Sequence, residues 1–121
     1  MSGDVRSYRD LLVWQKGMDL AEQVYRLSRT WPKEEIYGLT SQVRRAAASI
    51  PANIAEGYGR QSGASYSQFL KIARGSLKEL ETHLLLAERV GATAEGSCAS
   101  ALLQADELGM MLGGLIRSLG K

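Results

Sequence analysis

The chain has 121 residues, a formal net charge of +2 and 45% hydrophobic residues, which is typical of one soluble domain with a hydrophobic core. No apolar run reaches the roughly 18 residues of a membrane span, and Met1 to Arg6 lack the apolar core of a signal peptide. The lone cysteine, Cys98, cannot form an internal disulfide. We therefore expect a single cytoplasmic domain spanning residues 1–121 that makes no membrane contact.

Apolar residues that recur every three or four positions predict four helices and no strands. The first spans roughly residues 10–30 and carries two adjacent apolar stripes, so it should pack against more than one neighbour. Trp31-Pro32 ends it. The second spans about 39–58, with Gly57 and Gly59 as terminators. Pro51 lies inside it and removes a backbone hydrogen bond, which predicts a kink.

The third helix is predicted from Ser62, a plausible N-cap, to about residue 90. The fourth is predicted over about 95–119, with leucine and alanine in a heptad-like seam. Three glycines in that seam, at positions 109, 113 and 114, each cost about 1 kcal/mol of helix propensity and indicate close contact between helices or subunits. Four helices joined by short loops predict an all-α, up-and-down four-helix bundle.

Charge is distributed unevenly along the chain. Between Ser41 and Lys78 there are six basic residues and one acid, Glu56, a net charge of +5 that leaves −3 for the rest. The six are Arg44, Arg45, Arg60, Lys71, Arg74 and Lys78. Such a segment is a candidate surface for a polyanion, although acids from neighbouring helices or from another subunit would neutralise it equally well.

The polar residues do not form a recognisable catalytic or metal-binding pattern. His83 is the single histidine and Cys98 the single cysteine, and neither is placed in a nucleophile or metal-ligand pattern. We therefore predict no enzyme activity, no metal and no cofactor. A polar stripe on the second helix is predicted to form a structural network that fixes subunit register; it comprises Gln42, Ser49, Asn53 and Glu56.

Three blocks of the sequence resemble one family of proteins. They are the opening Asp10-Leu11-Leu12-Val13-Trp14-Gln15-Lys16, the run from Tyr37 through Ser49-Ile50-Pro51-Ala52-Asn53-Ile54-Ala55-Glu56-Gly57, and the segment from Phe69 to Glu81. The chain resembles the four-helix-bundle proteins encoded by 23S rRNA intervening sequences, a fold shared with accessory factors of diversity-generating retroelements. The resemblance implies a left-handed bundle that assembles into a ring-shaped homopentamer. It also implies binding of nucleic acid and of a reverse transcriptase, with the six basic residues as candidates for phosphate contact.

Three functions remain open at this stage. The leading hypothesis is a non-enzymatic, oligomeric accessory protein that binds RNA or DNA through the basic segment. The alternative is a protein–protein interaction scaffold that binds no nucleic acid and uses the apolar face of the first helix and the glycine-bearing seam of the fourth. A small-molecule enzyme would require a deep pocket with perturbed ionisable groups.

Overall fold

The computed structural model describes residues 5–120, which form four long helices and, within that range, no strand. The helices are α1 (Leu12–Ser28), α2 (Leu39–Tyr58), α3 (Gly63–Arg89) and α4 (Ala99–Leu119). Short 3-10 turns at Tyr8–Asp10 and Lys33–Glu35 precede α1 and α2. The predicted all-α class is confirmed. Residues 1–4 and residue 121 lie outside the described range. The signal-peptide prediction concerned Met1 to Arg6, so most of that segment is not described.

The helix ends follow local backbone chemistry. Ahead of α1, the Ser7 side chain accepts the Arg9 N–H and the Asp10 carboxylate accepts the Ser7 N–H, so this stretch forms a capped 3-10 turn. The fourth helix begins at Ala99 rather than near residue 95, because Gly96 has a φ of 86°. That left-handed backbone interrupts any helix, and glycine adopts it without strain.

Each helix packs against two neighbours. Sequential helices lie side by side and α4 returns to contact α1, while no Cα atoms of the diagonal pairs come within 8 Å of each other in the described chain. Leu20, Ile50, Leu77 and Leu112, one from each helix, have no exposed surface. Burying a side chain of this size contributes about 1.5–3 kcal/mol. The periodic apolar faces of the four helices therefore contribute to one shared core.

Small residues let α1 and α2 approach closely. Gly17 of α1 faces Pro51 of α2, and a Cβ built on Gly17 would lie 3.5 Å from the Pro51 Cβ. Pro51 is buried, and α2 continues through it from Leu39 to Tyr58. The bend at Pro51 and the left-handed sense of the bundle stay predictions.

Candidate nucleic-acid interface

Three of the six predicted basic residues form an exposed stripe on α3. Lys71, Arg74 and Lys78 are exposed, whereas the core residues Ala73 and Leu77 are buried. At 1.5 Å of rise per residue the stripe is about 10 Å long. Lys78 Nζ lies 3.1 Å from Glu81 Oε1, whereas Lys71 and Arg74 take part in no ion pair formed among residues 5–120. These two cations are therefore the most available for a phosphate.

Arg44 is held against α1 instead of projecting into solvent. Its Nε donates to Ser28 Oγ at 2.8 Å, and its guanidinium carbon lies 4.9 Å from the centre of the Tyr25 ring. Ser28 is itself buried and donates to the Val24 carbonyl. A half-buried arginine with these contacts joins two helices, so fewer of its donors remain for a ligand.

The other two arginines of α2 and its following turn are exposed but engaged locally. Arg45 donates to Ser41 Oγ at 3.2 Å. Arg60 pairs with Glu56 at 2.8 Å and lies 4.7 Å above the Phe69 ring. An exposed ion pair of this kind contributes little, typically about 0–1 kcal/mol, so a polyanion could displace it at low cost.

The predicted polar network is only partly formed, and it lies within one chain. Ser49 Oγ is 2.8 Å from Ser76 Oγ of α3. Asn53 Nδ2 donates to the Ser49 carbonyl at 2.8 Å and to its hydroxyl at 2.9 Å. Glu56 instead holds Arg60, and the Gln42 side chain forms no hydrogen bond within the described part of the chain. The contacts seen here tie α2 to α3, and a role in subunit register stays a prediction.

Two further residues belong to this region, although no sequence pattern pointed to them. Ser76 forms the hydrogen bond with Ser49. Its position in the helical period of α3 did not indicate which residue it would face. Arg117 is exposed near the end of α4 and folds back, so that its Nη1 would lie 3.5 Å from a Cβ on Gly113. Arg117 lies outside the basic segment between Ser41 and Lys78, so the uneven charge along the sequence did not point to it.

A concave region follows the carboxyl end of α3. It is a groove of about 680 Å³ lined by Thr82, Leu85, Leu86, Glu88, Arg89 and Glu95. Glu88 accepts the Cys98 N–H at 2.9 Å. Backbone N–H groups of Gly96 and Cys98 lower the pKa of Glu88, and burial raises the pKa of the Cys98 thiol. Both pKa shifts therefore arise from how the residues around the start of α4 pack. Among residues 5–120, no cluster of His, Cys, Asp or Glu is placed to hold a metal.

Four helices around one core with a charged outer face define an all-helical bundle protein. The chain belongs to the 23S rRNA-intervening sequence protein family, whose model matches residues 9–114. The resemblance carried by the three sequence blocks is thereby confirmed.

The chain is also similar to a solved structure, a protein of unknown function from the S23 ribosomal protein family of Bacteroides thetaiotaomicron VPI-5482. The two are 25% identical, with a TM-score of 0.77, and the match covers 87% of this chain and 98% of the other. No curated protein matches the sequence. None of the helices described is long and apolar enough to cross a bilayer.

Proposed function

We propose that this protein is a non-enzymatic, cytoplasmic accessory protein that assembles into a homo-oligomer and binds RNA or DNA. The observation that carries the proposal is the pair of exposed cations on one face of α3, Lys71 and Arg74, outside the ion pairs of the described chain. Like charges one turn apart repel each other by a few tenths of a kcal/mol. A phosphate backbone would relieve that repulsion.

Binding of this kind has a defined salt signature. Each phosphate neutralised on a single strand contributes about −0.7 to the slope of log K against log salt. Two contacts per subunit therefore predict a loss of about seven-fold between about 50 and 200 mM salt. The slope of log K against log salt becomes steeper in proportion to the number of subunits that bind the same strand. The resemblance supports a homopentamer, which would multiply a weak contact into a usable affinity.

Charge reversal tests the assignment. Lys71→Glu with Arg74→Glu should reduce the affinity for fluorescent RNA and DNA, measured by anisotropy on nuclease-treated protein at low and moderate salt. Lys16→Glu with Arg29→Glu is the matched control, because it makes the same change of charge at two exposed positions, one in α1 and one at its C-cap. Equal losses in both variants would mean that net charge alone governs binding, and unchanged affinity in the α3 variant would refute the site.

A specific observation favours the second candidate, a protein-interaction scaffold. The second apolar stripe of α1 is only partly covered: Met18 and Tyr25 are 45% and 43% exposed, while Trp14 and Ala21 on the same stripe are half-buried against the core. A partly exposed apolar stripe of this kind often binds another protein. If the wild-type protein bound no nucleic acid even at low salt, this function would replace the first.

A further inference from the structure

The turn between α1 and α2 places two large apolar side chains in solvent. Tyr37 is 95% exposed and Ile36 is 52% exposed. No other large hydrophobic residue of the described chain is as exposed as Tyr37. Tyrosine is among the residues that most often dominate a protein–protein contact. The pair is therefore a candidate anchor.

Hydrogen bonds fix the shape of this turn. The Ile36 N–H donates to the Lys33 carbonyl at 3.1 Å, and the Gly38 N–H donates to the Glu35 carbonyl at 2.9 Å. The Glu35 carboxylate also accepts the Leu39 N–H at the start of α2. A Cβ on Gly38 would lie 2.7 Å from Glu35 Oε1, so glycine leaves room for that cap. Because the turn is already ordered, binding through it costs little conformational entropy.

A groove with matching properties lies at the same end of the bundle, since α1 and α3 run in the same direction. Leu85 and Leu86, 50% and 42% exposed, are its apolar lining residues. Arg89 and Glu95 also line it, are exposed, and form no ion pair within residues 5–120. Its third charged group, Glu88, already accepts the Cys98 N–H at the start of α4.

The charges around the two surfaces are complementary. The turn carries Lys33 and Glu34, both exposed and likewise outside the ion pairs of the described chain. Each surface thus presents one cation and one anion beside an apolar centre. The acidic residues of the turn disfavour a nucleic acid as its occupant, because a phosphate backbone would be repelled.

We infer that Ile36 and Tyr37 of one copy of this chain insert into the Leu85–Leu86 groove of a second copy. At the edge, Lys33 meets Glu95 and Glu34 meets Arg89. The inference rests on the oligomer of the proposed function and names the contact that builds it. Turn and groove are different surfaces, so the contact is head-to-tail and every copy both gives a turn and receives one.

Two variants at exposed positions test the contact. Tyr37→Ser removes the anchor and Leu86→Arg closes the groove. Each should weaken self-association by about 30-fold or more, the loss expected for a tyrosine or groove residue at the centre of a contact. Sedimentation velocity and native mass spectrometry give the oligomeric state, and circular dichroism checks folding. Met110→Ser and Leu103→Arg are matched controls at other exposed apolar positions and should leave the assembly intact.

Mixing the two variants gives the sharpest outcome. The Tyr37→Ser chain keeps its groove and the Leu86→Arg chain keeps its turn, so at high concentration the mixture should form a 1:1 heterodimer that neither variant forms alone. Ile36→Ser and Leu85→Arg repeat both arms if one variant fails to fold. An oligomer unchanged by Tyr37→Ser, or two monomeric variants that do not combine, would overturn the contact alone. A monomeric wild-type protein at high concentration would overturn the oligomer of the proposed function as well.

Discussion

Gly57 is the residue at which one added methyl group should do the most damage. It is buried in the last turn of α2, and a Cβ built there would lie 2.6 Å from the Phe69 Cβ and 3.2 Å from a ring carbon of Tyr66. Ordinary contact between carbon atoms is about 3.5–4.0 Å. Neither Cβ can rotate away, because each is fixed to its backbone. Gly57→Ala therefore requires α2 and α3 to separate by about 1 Å.

The size of the effect follows from two opposing terms. Overpacking a close contact costs about 1–3 kcal/mol, and replacing a helical glycine by alanine returns at most about 1 kcal/mol. We take the upper end of the cost because the clash involves two fixed atoms. The net loss is then about 2 kcal/mol in the free energy of unfolding, or about 8 °C in Tm for a chain of this length.

Gly75 provides the matched control. It lies inside α3, and a Cβ built there meets nothing within 4 Å. Gly75→Ala should therefore stabilise the protein by about 1 kcal/mol through helix propensity alone. Urea unfolding followed by circular dichroism, at one protein concentration because assembly shifts apparent stability, compares the two variants. Equal stabilisation by both substitutions would refute the argument that Gly57 is required by close packing.

Two further predictions concern Glu88 and Arg44. The pKa of Glu88 is held below its ordinary value of 4.5 by backbone N–H groups at the start of α4, so its contribution to stability is complete above that pH and is lost as the pH falls through the lowered pKa. Glu88→Gln should lower the urea midpoint at neutral pH and flatten the acid dependence below it; an unchanged pH profile would count against the cap. Arg44→Ala removes the hydrogen bond to Ser28 and the stacking on Tyr25, and should cost about 1–2 kcal/mol while leaving nucleic-acid affinity nearly unchanged. A large loss of nucleic-acid affinity with unchanged stability would show that Arg44 contacts phosphate and would contradict this prediction.

Much of the candidate site could be located from the sequence, but its members could not be ranked. A count of charge found all six cations, and the spacing of Lys71, Arg74 and Lys78 by three and four residues is that of one helix face. Period could not show that Arg44 would meet Ser28, because that contact joins residues 16 positions apart on different helices. It also gave no reason to notice Tyr37, whose 95% exposure depends on how the turn between α1 and α2 is folded.

The sequence by itself determined the four helices, since apolar spacing, the Ser62 cap and the Trp31-Pro32 break are all local signals. Only the tertiary structure decided what each glycine is for. Gly57 was expected to terminate a helix, yet it lies within α2 and lets Phe69 approach. Gly96, which gave no such signal, sets the start of α4 through its positive φ. Local sequence fixes which backbone conformations are allowed, whereas the atom that will occupy the missing side-chain space comes from another helix and is known only once the helices have packed.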